Sequence, residues 1–457
     1  MTSVLLIYPY FKPPRDRSVF RFPPLGPSYI AAALLEAGHT VELLDCTFLR
    51  RDQALGRALA TKAEVIGVYG MVTMLEDCLW LARQLRRLGR LLVAGGPLPT
   101  CSPELFLEQF DVVVRGEGEE TMQELVEAYA RKSDLGYVAG IVYRAGALSR
   151  ETGKPGVVST PARPFRPDLD QLALPARRLL PNKDYQRHGQ KAYGGSITTV
   201  MSTRGCPFRC EFCSNVIFGG TYRERSAPNV VDEIEEALKL GYNRISFADD
   251  VFTLNKARVQ AICSEIARRG LRFEWECLGR VDTMDDALAR IMKQAGCMRI
   301  YFGIESGSDQ VLKLMHKQID TGQARRAVEA AHRAGLQVGA FFILFYPGET
   351  QETVLTTLRF ATSLPVDYLG LTLPYPLPGT ALYERVKAQI NRDWRPGESV
   401  FGSHMLIFAS EFSELKMQFG IFKGQVQFWL ERRCGRLAPW VPRLFEKATD
   451  ALLRLLP

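Results

Sequence analysis

Three cysteines fall within a short stretch of the sequence, RGCPFRCEFCSN, at residues 204–215. Cys206, Cys210 and Cys213 have the spacing C-x3-C-x2-C and follow a run that is typical of a buried strand. Three thiolates can bind three irons of a [4Fe–4S] cube and leave the fourth iron open. A zinc site would need a fourth ligand, and the nearest histidine in the sequence, His188, is far from the motif. The spacing therefore favours an open-sited iron–sulfur cluster over zinc.

Charged and glycine-rich motifs follow the later apolar runs of the sequence in a regular order. One such residue at a strand end is a weak signal, because acidic residues there also cap the helices that follow. Their order at successive strand ends predicts a shared site, since active groups of parallel barrels lie at the carboxyl ends of the strands. The motifs are FADD (247–250), GR (279–280), GIESG (303–307), FYPGET (345–350) and YPLPGT (375–380).

Six apolar runs alternate with helical patterns between residues 195 and 395. This rhythm predicts a partial (β/α)6 barrel of the TIM type. The predicted strands are 197–203, 244–250, 272–280, 298–306, 337–348 and 367–379.

The first 135 residues predict another α/β unit, a doubly wound Rossmann-like parallel sheet. Five short and almost wholly apolar strands alternate with helices, which is typical of a sheet covered on both faces. Ligands of such sheets bind at the carboxyl ends of the strands, so the glycine- and proline-rich loops there are expected to line a pocket. The predicted strands are 3–10, 40–45, 65–70, 91–96 and 111–116, and the predicted helices are 25–39, 53–62, 75–89, 102–110 and 119–130.

Two further segments complete the predicted domain organisation. Residues 136–194 are rich in proline and arginine and are interpreted as a linker that contains a hairpin. Residues 396–457 are interpreted as a helical C-terminal tail, apolar on one face and basic on the other. The sequence leaves two roles open for this tail, a cap over the barrel or a surface that contacts a membrane or a greasy substrate.

The composition is that of a soluble globular protein with two or three domains. Of the 457 residues, 46% are hydrophobic and 24% are charged, and a net charge of +8 is spread without a block of like charges. This pattern does not favour a nucleic-acid-binding protein. The sequence shows no signal peptide and no apolar run of about 18 residues, so we expect a cytoplasmic protein. In a reducing compartment, closely spaced cysteines are metal ligands more often than disulfides.

The cysteine motif, with the aromatic Phe212 next to Cys213, resembles that of the radical S-adenosylmethionine (SAM) superfamily. The resemblance covers roughly residues 195–395. It implies that the open iron chelates the amino and carboxylate groups of SAM, and that one electron then cleaves SAM to methionine and a 5′-deoxyadenosyl radical. The protein positions these cofactors. The implied contacts are Phe212 shielding the cluster, Asp249 and Asp250 near the methionine moiety, Arg280 on the carboxylate and Glu305 on the ribose hydroxyls.

The first domain resembles that of the cobalamin-dependent radical SAM family. The resemblance rests on PLGPSYIAAALLEAGHTVELLD (24–45), AGGPLPT (94–100) and DVVVRGEGEET (111–121). It implies that cobalamin lies in the sheet crevice with its corrin facing the barrel, where glycines let the backbone approach the ligand. The implied contacts are Tyr69, Gly70, Thr73, Gly95, Gly96, Pro97, Gly116 and Gly118.

The wider cobalamin-binding fold often gives the cobalt a histidine from a D-x-H-x-x-G motif, which is absent from this sequence. His39 lies in a predicted helix–strand turn and is expected to be structural. Cobalamin is therefore expected to bind without a histidine ligand. A domain that keeps this fold without binding cobalamin is an alternative that the sequence leaves open.

The resemblance implies a C-methyltransferase that acts on an unactivated carbon of a hydrophobic biosynthetic intermediate, of lipid or tetrapyrrole type. The main alternative is an enzyme with the same domains and cofactors that catalyses cyclisation, ring contraction or oxidation without methyl transfer. The expected partners are a small-molecule substrate and an external one-electron donor such as flavodoxin or ferredoxin. No side chain is assigned a catalytic role.

Two further classes of protein share some of these features. Methylthiotransferases place three cysteines in a domain before the barrel, where Cys46, Cys78 and Cys101 would be the candidates. The first predicted strand has no cysteine and the tail is helical rather than a β-barrel, which argues against this class. A sensor that binds cobalamin or a cluster without turnover would not need the ordered strand-end motifs.

Aromatic residues near the predicted barrel mouth indicate either a hydrophobic substrate or ordinary core packing. The sequence does not decide between these roles. The residues are Tyr301, Phe341, Phe342, Phe345, Tyr346 and Tyr375.

Overall fold

The computed structural model describes residues 1–11, 21–145, 156–214, 217–390, 407–434 and 438–456. These residues form two large sheets, one in each half of the chain. This arrangement confirms the predicted fold class, a Rossmann-like sheet followed by a partial barrel and C-terminal helices. The predicted boundary between the barrel and the tail, after residue 395, lies outside the described residues.

The first sheet is built from seven strands, β1 (Ser3–Tyr8), β2 (Thr40–Asp45), β3 (Val65–Tyr69), β4 (Leu91–Gly95), β5 (Val112–Val114), β6 (Ile141–Arg144) and β7 (Val157–Ser159). Their order is β2-β1-β3-β4-β5-β6-β7. The first five are parallel, whereas β6 and β7 continue the sheet as antiparallel strands. The hairpin that the sequence assigns to the linker therefore belongs to this sheet.

Helices cover both faces of the first sheet. Successive side chains of a strand point to opposite faces, so these apolar strands place buried side chains on both. Val4 and Leu6 of β1 belong to the core on one face, and Leu5 and Ile7 belong to the core on the other. Each such buried side chain contributes about 1.5–3 kcal/mol of hydrophobic stabilisation. The first face packs on α1 (Leu25–Glu36) and α5 (Glu119–Arg131), and the second on α2 (Arg51–Leu59), α3 (Leu75–Leu85) and α4 (Pro97–Cys101).

The short helix predicted at residues 102–110 lies earlier, at α4. Pro97 starts this helix. Proline has no backbone N–H, and at the first position of a helix this costs nothing because that N–H would have no intrahelical partner. Residues 103–105 form only a single 3₁₀ turn, which begins at Pro103. Phe106 and Phe110 then anchor this irregular segment in the core.

The described residues of the second half of the chain form eight strands, β8 (Ile197–Val200), β9 (Thr203–Arg204), β10 (Arg223–Glu224), β11 (Arg244–Phe247), β12 (Glu274–Gly279), β13 (Cys297–Glu305), β14 (Gln337–Ile343) and β15 (Tyr368–Thr372). Six of them form a parallel sheet in the order β15-β14-β13-β12-β11-β8, as expected for a partial barrel. β9 and β10 form a separate antiparallel ribbon.

Most helices of this half begin at polar side chains that accept a hydrogen bond from the first-turn backbone, and α6 and α10 are the exceptions among the described residues. Ser226, Asn255, Asp285, Asp320 and Thr350 occupy such capping positions. The helices are α6 (Asn182–Tyr193), α7 (Ala227–Lys239), α8 (Lys256–Arg268), α9 (Asp286–Gln294), α10 (Asp309–Leu314), α11 (Thr321–Arg333), α12 (Gln351–Ser363) and α13 (Ala381–Val386).

The C-terminal helix α14 (Glu414–Cys434) packs against α12 and β15, and α15 (Trp440–Leu455) packs against α14, as expected for a cap on the barrel. Lys423 is fully buried and is neutralised by Asp450, with 2.9 Å between Nζ and Oδ1. Arg359 of α12 also pairs with Asp450. None of the helices in the described part of the chain is long and apolar enough to cross a membrane.

A buried ionic network joins the two halves of the chain. Glu233 of α7 is fully buried and accepts hydrogen bonds from Arg177 and Arg225. Tyr29 of α1 donates its hydroxyl hydrogen to the same carboxylate at 3.1 Å and accepts one from Arg225 at 3.2 Å. Buried charges are tolerated only when they are paired in this way. The network therefore fixes the first sheet's helix against the barrel.

We expect the substitution Glu233→Gln to destabilise the protein by roughly 3–5 kcal/mol, because two buried guanidinium groups lose their counter-charge. The midpoint of urea unfolding, followed by fluorescence, measures this loss. Glu236→Gln, on the exposed side of the same helix, is the matched control and should leave the midpoint unchanged. Equal midpoints for the two variants would show that the network does not hold the halves together.

Candidate functional site

A cavity of about 400 Å³ lies between the two sheets. Its walls come from the carboxyl ends of β1, β3, β4 and β5 on one side and from β8 and the segment after β11 on the other. Most of the lining is apolar, and Glu117, Glu119 and Arg204 are its charged side chains among the described residues. The position at the carboxyl edges of both sheets is where ligands of α/β folds bind.

Most residues that the sequence assigns to cobalamin line this cavity. Two do not. The backbone of Gly70 donates to Gly95 and accepts from Leu98, and an added Cβ would be 2.9 Å from Pro99. Thr73 is exposed outside the cavity lining. The structure thus makes Gly70 a packing position and gives Thr73 no contact with the cavity. The residues that do line it are Tyr69, Gly95, Gly96, Pro97, Gly116 and Gly118.

Two glycines of the cavity wall adopt conformations that other residues avoid. Gly96 has φ +115°, and a Cβ there would be 2.6 Å from the carbonyl oxygen of Gly70. Gly116 has φ +75° and open space where a side chain would be. Such glycines let the backbone itself form the wall of a binding site. A bulky group such as cobalamin, which needs close approach of the backbone, fits this wall.

No histidine lies among the described residues of the cavity lining. His39 is buried at the turn between α1 and β2, where Nδ1 accepts a hydrogen bond from the N–H of Thr2 at 3.3 Å. The structural role expected for His39 is confirmed. The lining agrees with cobalamin bound without a histidine.

The three cysteines lie in the loop between β9 and β10, which we call the cluster loop. Desolvation raises the pKa of the Cys206 thiol, and Asp250 and Cys210 add to this effect. Desolvation also raises the pKa of Cys213 to about 12, with further increases from Cys210 and Asp250, although part of this side chain still contacts solvent. The three thiols and Asp250 are therefore close enough to influence one another. Cluster assembly must remove thiol protons, since only thiolates bind iron.

The donor set fits an open-sited cluster better than a closed metal site. Three thiols come from one loop, and within the described residues no group of three or more Cys, His, Asp or Glu side chains is arranged to hold a single metal ion. The Phe212 ring lies 6.5 Å from that of Tyr346, and Nζ of Lys317 is 5.6 Å from its centroid. Phe212 thus packs near Tyr346 and Lys317, and its role as a shield of the cluster stays a prediction.

Glu211, within the cysteine motif, anchors the cluster loop to three other segments. Its carboxylate accepts hydrogen bonds from the Tyr346 hydroxyl at 2.7 Å and from Arg385 at 3.1 Å. Its N–H donates to the carbonyl of Met315 at 3.0 Å, and its carbonyl accepts from the N–H of Leu382 at 2.8 Å. The position of the cysteines is therefore fixed by contacts with α10, α13 and the segment after β14.

Arg204 connects the start of the cluster loop to the first domain. Its guanidinium donates to Glu117 at 2.9 Å and to Glu119 at 2.5 Å, and it lies 5.2 Å from the ring of Tyr29. Arg223, on the returning strand β10, donates twice more to Glu117 at 2.9 Å. The two arginines lower the pKa of Glu117 against the opposing effect of burial. The acidic residues of the GEGEE segment thus hold the cluster loop.

Asp249 and Asp250, which the sequence treats alike, have different roles. Asp249 is 1% exposed and accepts hydrogen bonds from the N–H groups of Ser202 and Thr203 at 2.6 and 3.0 Å, and from the Ser202 hydroxyl. Arg258 completes this set at 3.5 Å. Asp249 is therefore occupied in positioning the chain before the cluster loop, which corrects the expectation that it contacts SAM. Asp250 is exposed next to the thiols and stays a predicted contact.

Glu305 is held in an unusual backbone conformation at the end of β13. Its φ is +73°, and the register between β13 and β14 shifts at this residue. The side chain folds back over Gly303, where an added Cβ would collide with the carboxylate. Lys317 is 8% exposed and binds this carboxylate at 2.9 Å. A strained non-glycine residue is typical of functional sites, so the strain agrees with the predicted ribose contact.

Arg280 lies directly beside the cluster loop, with its guanidinium 3.5 Å from the centroid of the Phe208 ring. It is paired with Asp282 through Nε and Nη2, at 2.9 and 3.0 Å. Nη2 also donates to the carbonyl of Lys317 at 3.2 Å. The predicted pairing of Arg280 with the carboxylate of SAM would therefore be shared with Asp282.

Four residues of this site were not singled out from the sequence: Lys317, Glu211, Arg204 and Glu117. Lys317 and Glu211 follow no periodic pattern, because each acts through a contact with a distant segment. A signal did exist for Glu117, since it lies between the two glycines of the GEGEE segment, at the carboxyl end of a predicted strand. Arg115 lies only two residues earlier, so the sequence alone does not show that the partners of Glu117 come from the other half of the chain.

Two family models match the chain. The B12 binding domain matches residues 14–126, and the radical SAM superfamily matches residues 200–361. The first of these segments contains the cavity walls from β3, β4 and β5, and the second contains the cluster loop.

Two relatives and one solved structure are similar to most of the chain. The chain is 34% identical to an uncharacterised methyltransferase of Pyrococcus horikoshii, over 84% of each chain. It is 28% identical to the anaerobic magnesium-protoporphyrin IX monomethyl ester cyclase of Rubrivivax gelatinosus, over 84% of this chain and 70% of the relative. The radical SAM methyltransferase TsrM from Kitasatospora setae, solved with cobalamin and a [4Fe–4S] cluster, superposes with a TM-score of 0.74, at 24% identity, over 84% of this chain and 77% of that chain.

The fold and the matched domains define an enzyme of the radical SAM class with a cobalamin-binding domain. The chain belongs to the cobalamin-dependent radical SAM family. This membership confirms the predicted cofactors, which are cobalamin, SAM and the [4Fe–4S] cluster.

The anchoring of the cluster loop by Glu211 yields a graded prediction. Glu211→Gln removes only the charge that pairs with the half-exposed Arg385, and we expect iron loss to a chelator to become about two- to fivefold faster. Glu211→Ala also leaves the hydroxyl of Tyr346 without an acceptor, so loss should accelerate by about tenfold or more. Iron release under anaerobic conditions measures this. Glu384→Gln, which disrupts only an exposed pair with Lys387, should behave like the wild type. A similar rate for all three variants would contradict the anchoring role.

A buried carboxyl after β14 gives a prediction about pH. Burial raises the pKa of Glu349 to about 7, against hydrogen bonds from Tyr346 and Thr353. The folded state therefore binds this proton more tightly than the unfolded state. Its contribution to stability is complete below about pH 4.5, decreases as the pH rises to 7 and is absent above it. Glu349→Gln mimics the neutral form, so we expect it to be more stable than the wild type at pH 8 by up to ~3 kcal/mol and to show no gain at pH 4.5.

Thermal unfolding midpoints at both pH values measure this difference. The exposed Glu352, whose pKa is lowered by Arg454, provides the control Glu352→Gln, which should not stabilise at pH 8. If the difference in stability between Glu349→Gln and the wild type did not change with pH, the raised pKa of Glu349 would be excluded as its cause.

Proposed function

We propose that this protein is a C-methyltransferase that transfers a methyl group to an unactivated carbon of a hydrophobic biosynthetic intermediate. The observation that carries the proposal is the shared cavity, in which the lining of the B12-binding domain and the start of the cluster loop meet at Arg204. Methyl transfer to an unactivated carbon needs a radical and a methyl donor within reach of one substrate atom. The named methyltransferases among the relatives support this choice.

When bound, the cluster supplies an electron to SAM, and the cobalamin supplies a methyl group. We assign the cluster to Cys206, Cys210 and Cys213, with Phe212 excluding water. Glu211, Arg204 and Asp249 act through the loop, by holding it in place. Asp250 and the Glu305–Lys317 pair would bind and orient SAM. On the other side, Tyr69 and the glycines of the cavity wall would hold the cobalamin, and desolvation raises the pKa of Tyr69 to about 12, so this phenol stays neutral.

The proposal includes the predicted domain boundaries and partners. We assign residues 1–135 to cobalamin, 136–194 to the linker, 195–395 to the radical SAM barrel and 396–457 to the C-terminal region. An external one-electron donor such as flavodoxin or ferredoxin would reduce the cluster, and the partial exposure of Cys213 leaves the loop accessible. A cytoplasmic location stays a prediction, whereas membrane contact by the tail, which the sequence left open, has no support.

A second candidate is cyclisation, ring contraction or oxidation without methyl transfer. The observation that favours it is the 28% identity to the cyclase of Rubrivivax gelatinosus over 84% of this chain. The two candidates share every cofactor site, so the products of SAM distinguish them better than the structure does.

Anaerobically reconstituted protein, incubated with SAM, cobalamin and dithionite, tests the proposal. We expect bound iron and cobalt, 5′-deoxyadenosine from radical cleavage, and S-adenosylhomocysteine from methyl donation. Cys210→Ala should abolish 5′-deoxyadenosine and most of the iron. Cys101→Ala, in the first domain, is the matched cysteine control and should keep both, whereas a methylthiotransferase would lose iron with it.

The outcomes separate the candidates. 5′-Deoxyadenosine without S-adenosylhomocysteine would reject methyl transfer in favour of the second candidate. Iron without cobalt would reject the role of cobalamin. The absence of both SAM products in a protein that contains iron and cobalt would indicate a sensor.

A further inference from the structure

The concave face of the second sheet carries two aromatic rings that lie flat on the strands. Tyr301 of β13 and Phe341 of β14 are stacked, with centroids 5.5 Å apart and planes inclined by 12°. Tyr301 is opposite Gly339 in the strand register, and Phe341 is opposite Gly370. An added Cβ at Gly339 would collide with the Tyr301 ring, and one at Gly370 would be 2.6 Å from Phe341 Cδ1. The two glycines thus allow the rings to lie against the sheet.

This pair of rings is open to the concave space of the partial barrel. Phe341 is 40% exposed, and the neighbouring lumen residues Leu278 and Tyr368 are 38% and 43% exposed. In contrast, Phe342, Phe345 and Tyr346, which the sequence groups with them, are at most 2% exposed. Contiguous apolar surface within a concave site indicates a ligand site rather than incomplete packing. We refer to Tyr301, Phe341, Leu278 and Tyr368 as the aromatic ledge.

The polar group next to the ledge has no free capacity for a charged ligand. Arg299 donates to Glu276 at 3.2 Å and to the hydroxyls of Tyr301 and Tyr368 at 3.0 and 2.7 Å. It also donates to Gln337 through Nε and Nη2, at 3.1 and 2.8 Å. These five contacts match the five N–H groups of a guanidinium. Glu276 balances the charge, so the ledge recognises an uncharged part of a ligand.

The ledge adjoins the candidate SAM site. Phe341 is opposite Gly303 in the register of β13 and β14, and the carboxylate of Glu305 and Nζ of Lys317 lie over this glycine. A molecule on the ring faces would therefore be placed next to the position where the proposed function generates its radical.

We propose that the aromatic ledge binds a rigid, flat and uncharged ring system of the substrate, rather than a flexible acyl chain. This inference rests on the proposed function for the location of the chemistry and specifies its substrate class. Fixed ring faces favour offset stacking with another flat π-system, which adds to the gain from burial alone. An acyl chain gains only the burial and loses the rotational freedom of every bond that becomes fixed.

Binding of neutral aromatic probes to the reconstituted holoenzyme tests this inference. The fluorescence of N-phenyl-1-naphthylamine reports binding, and displacement by phenanthrene is compared with displacement by tetradecanol. For Phe341→Leu we expect phenanthrene to bind about three- to tenfold more weakly, since the ring face is lost. Phe341→Tyr keeps the ring and should restore binding to within about twofold. Gly370→Ala should lift the ring and weaken binding although Phe341 is retained.

Phe422→Leu is the matched control, because Phe422 is an exposed phenylalanine on α14, outside the barrel lumen. It should leave the affinity for phenanthrene unchanged. Equal displacement by phenanthrene and tetradecanol, or equal losses in Phe341→Leu and Phe422→Leu, would overturn the inference. This readout does not require SAM cleavage. If phenanthrene binds as expected but the SAM assays fail, only the proposed function is rejected. If the SAM assays succeed but phenanthrene binding does not depend on Phe341, only the ligand role of the aromatic ledge is rejected.

Discussion

The buried charges at the contact between the two halves of the chain are the constraint on which the site depends. Glu233 and Glu117 each receive two arginines, and all of these groups are largely removed from water. A buried carboxylate without its partners would carry a large desolvation cost, so the two sheets are stable only in a narrow range of relative positions. Since Arg204 begins the cluster loop, the same pairs that join the domains also set the distance between the cysteines and the cavity. The geometry needed to bring two cofactors to one substrate is thus determined by charge pairing, and the apolar cores determine the stability of each half.

Within that arrangement, local backbone strain directs side chains toward the site. Glu305 has φ +73° at a register shift, and the returning carboxylate requires a glycine at position 303. Gly205, at the start of the cluster loop, has φ +85°, and a side chain there would collide with the carbonyl of Thr221. Such conformations persist only when the surrounding structure compensates for them. Here the compensation comes from Lys317 for Glu305 and from the β9–β10 ribbon for the loop. Backbone strain and its compensating contacts therefore occur at the same places, which are the ends of β9 and β13.

Much of the architecture could be predicted from the sequence, because it depends on local patterns. The alternation of apolar strands and amphipathic helices identified both parallel sheets, and the cysteine spacing identified the cluster loop. The errors have a common origin in contacts between distant segments. Asp249 follows the expected motif, but its hydrogen bonds with Ser202, Thr203 and Arg258 depend on how the strands are arranged. Gly70 resembles a ligand-contacting glycine, and only the packing of α4 shows that Pro99 occupies the space. Lys317 lies in an irregular segment, so no periodicity distinguished it from a surface lysine.

The charges around the candidate SAM site are paired before any ligand is present, which affects how binding energy is distributed. Glu305 is neutralised by Lys317 and Arg280 by Asp282, at distances of 2.9 Å in both cases. A ligand that carries both charges can exchange partners with such pairs, so neither protein group has to become a lone buried charge. Exchange of this kind gives orientation and specificity more than affinity, because each new contact replaces an existing one. Net affinity must then come from apolar contact. The aromatic ledge in the lumen could provide this contact, and the neighbouring Arg299 is already neutralised by Glu276. On the proposed function, the reacting groups and the body of the substrate would thus be recognised by different surfaces.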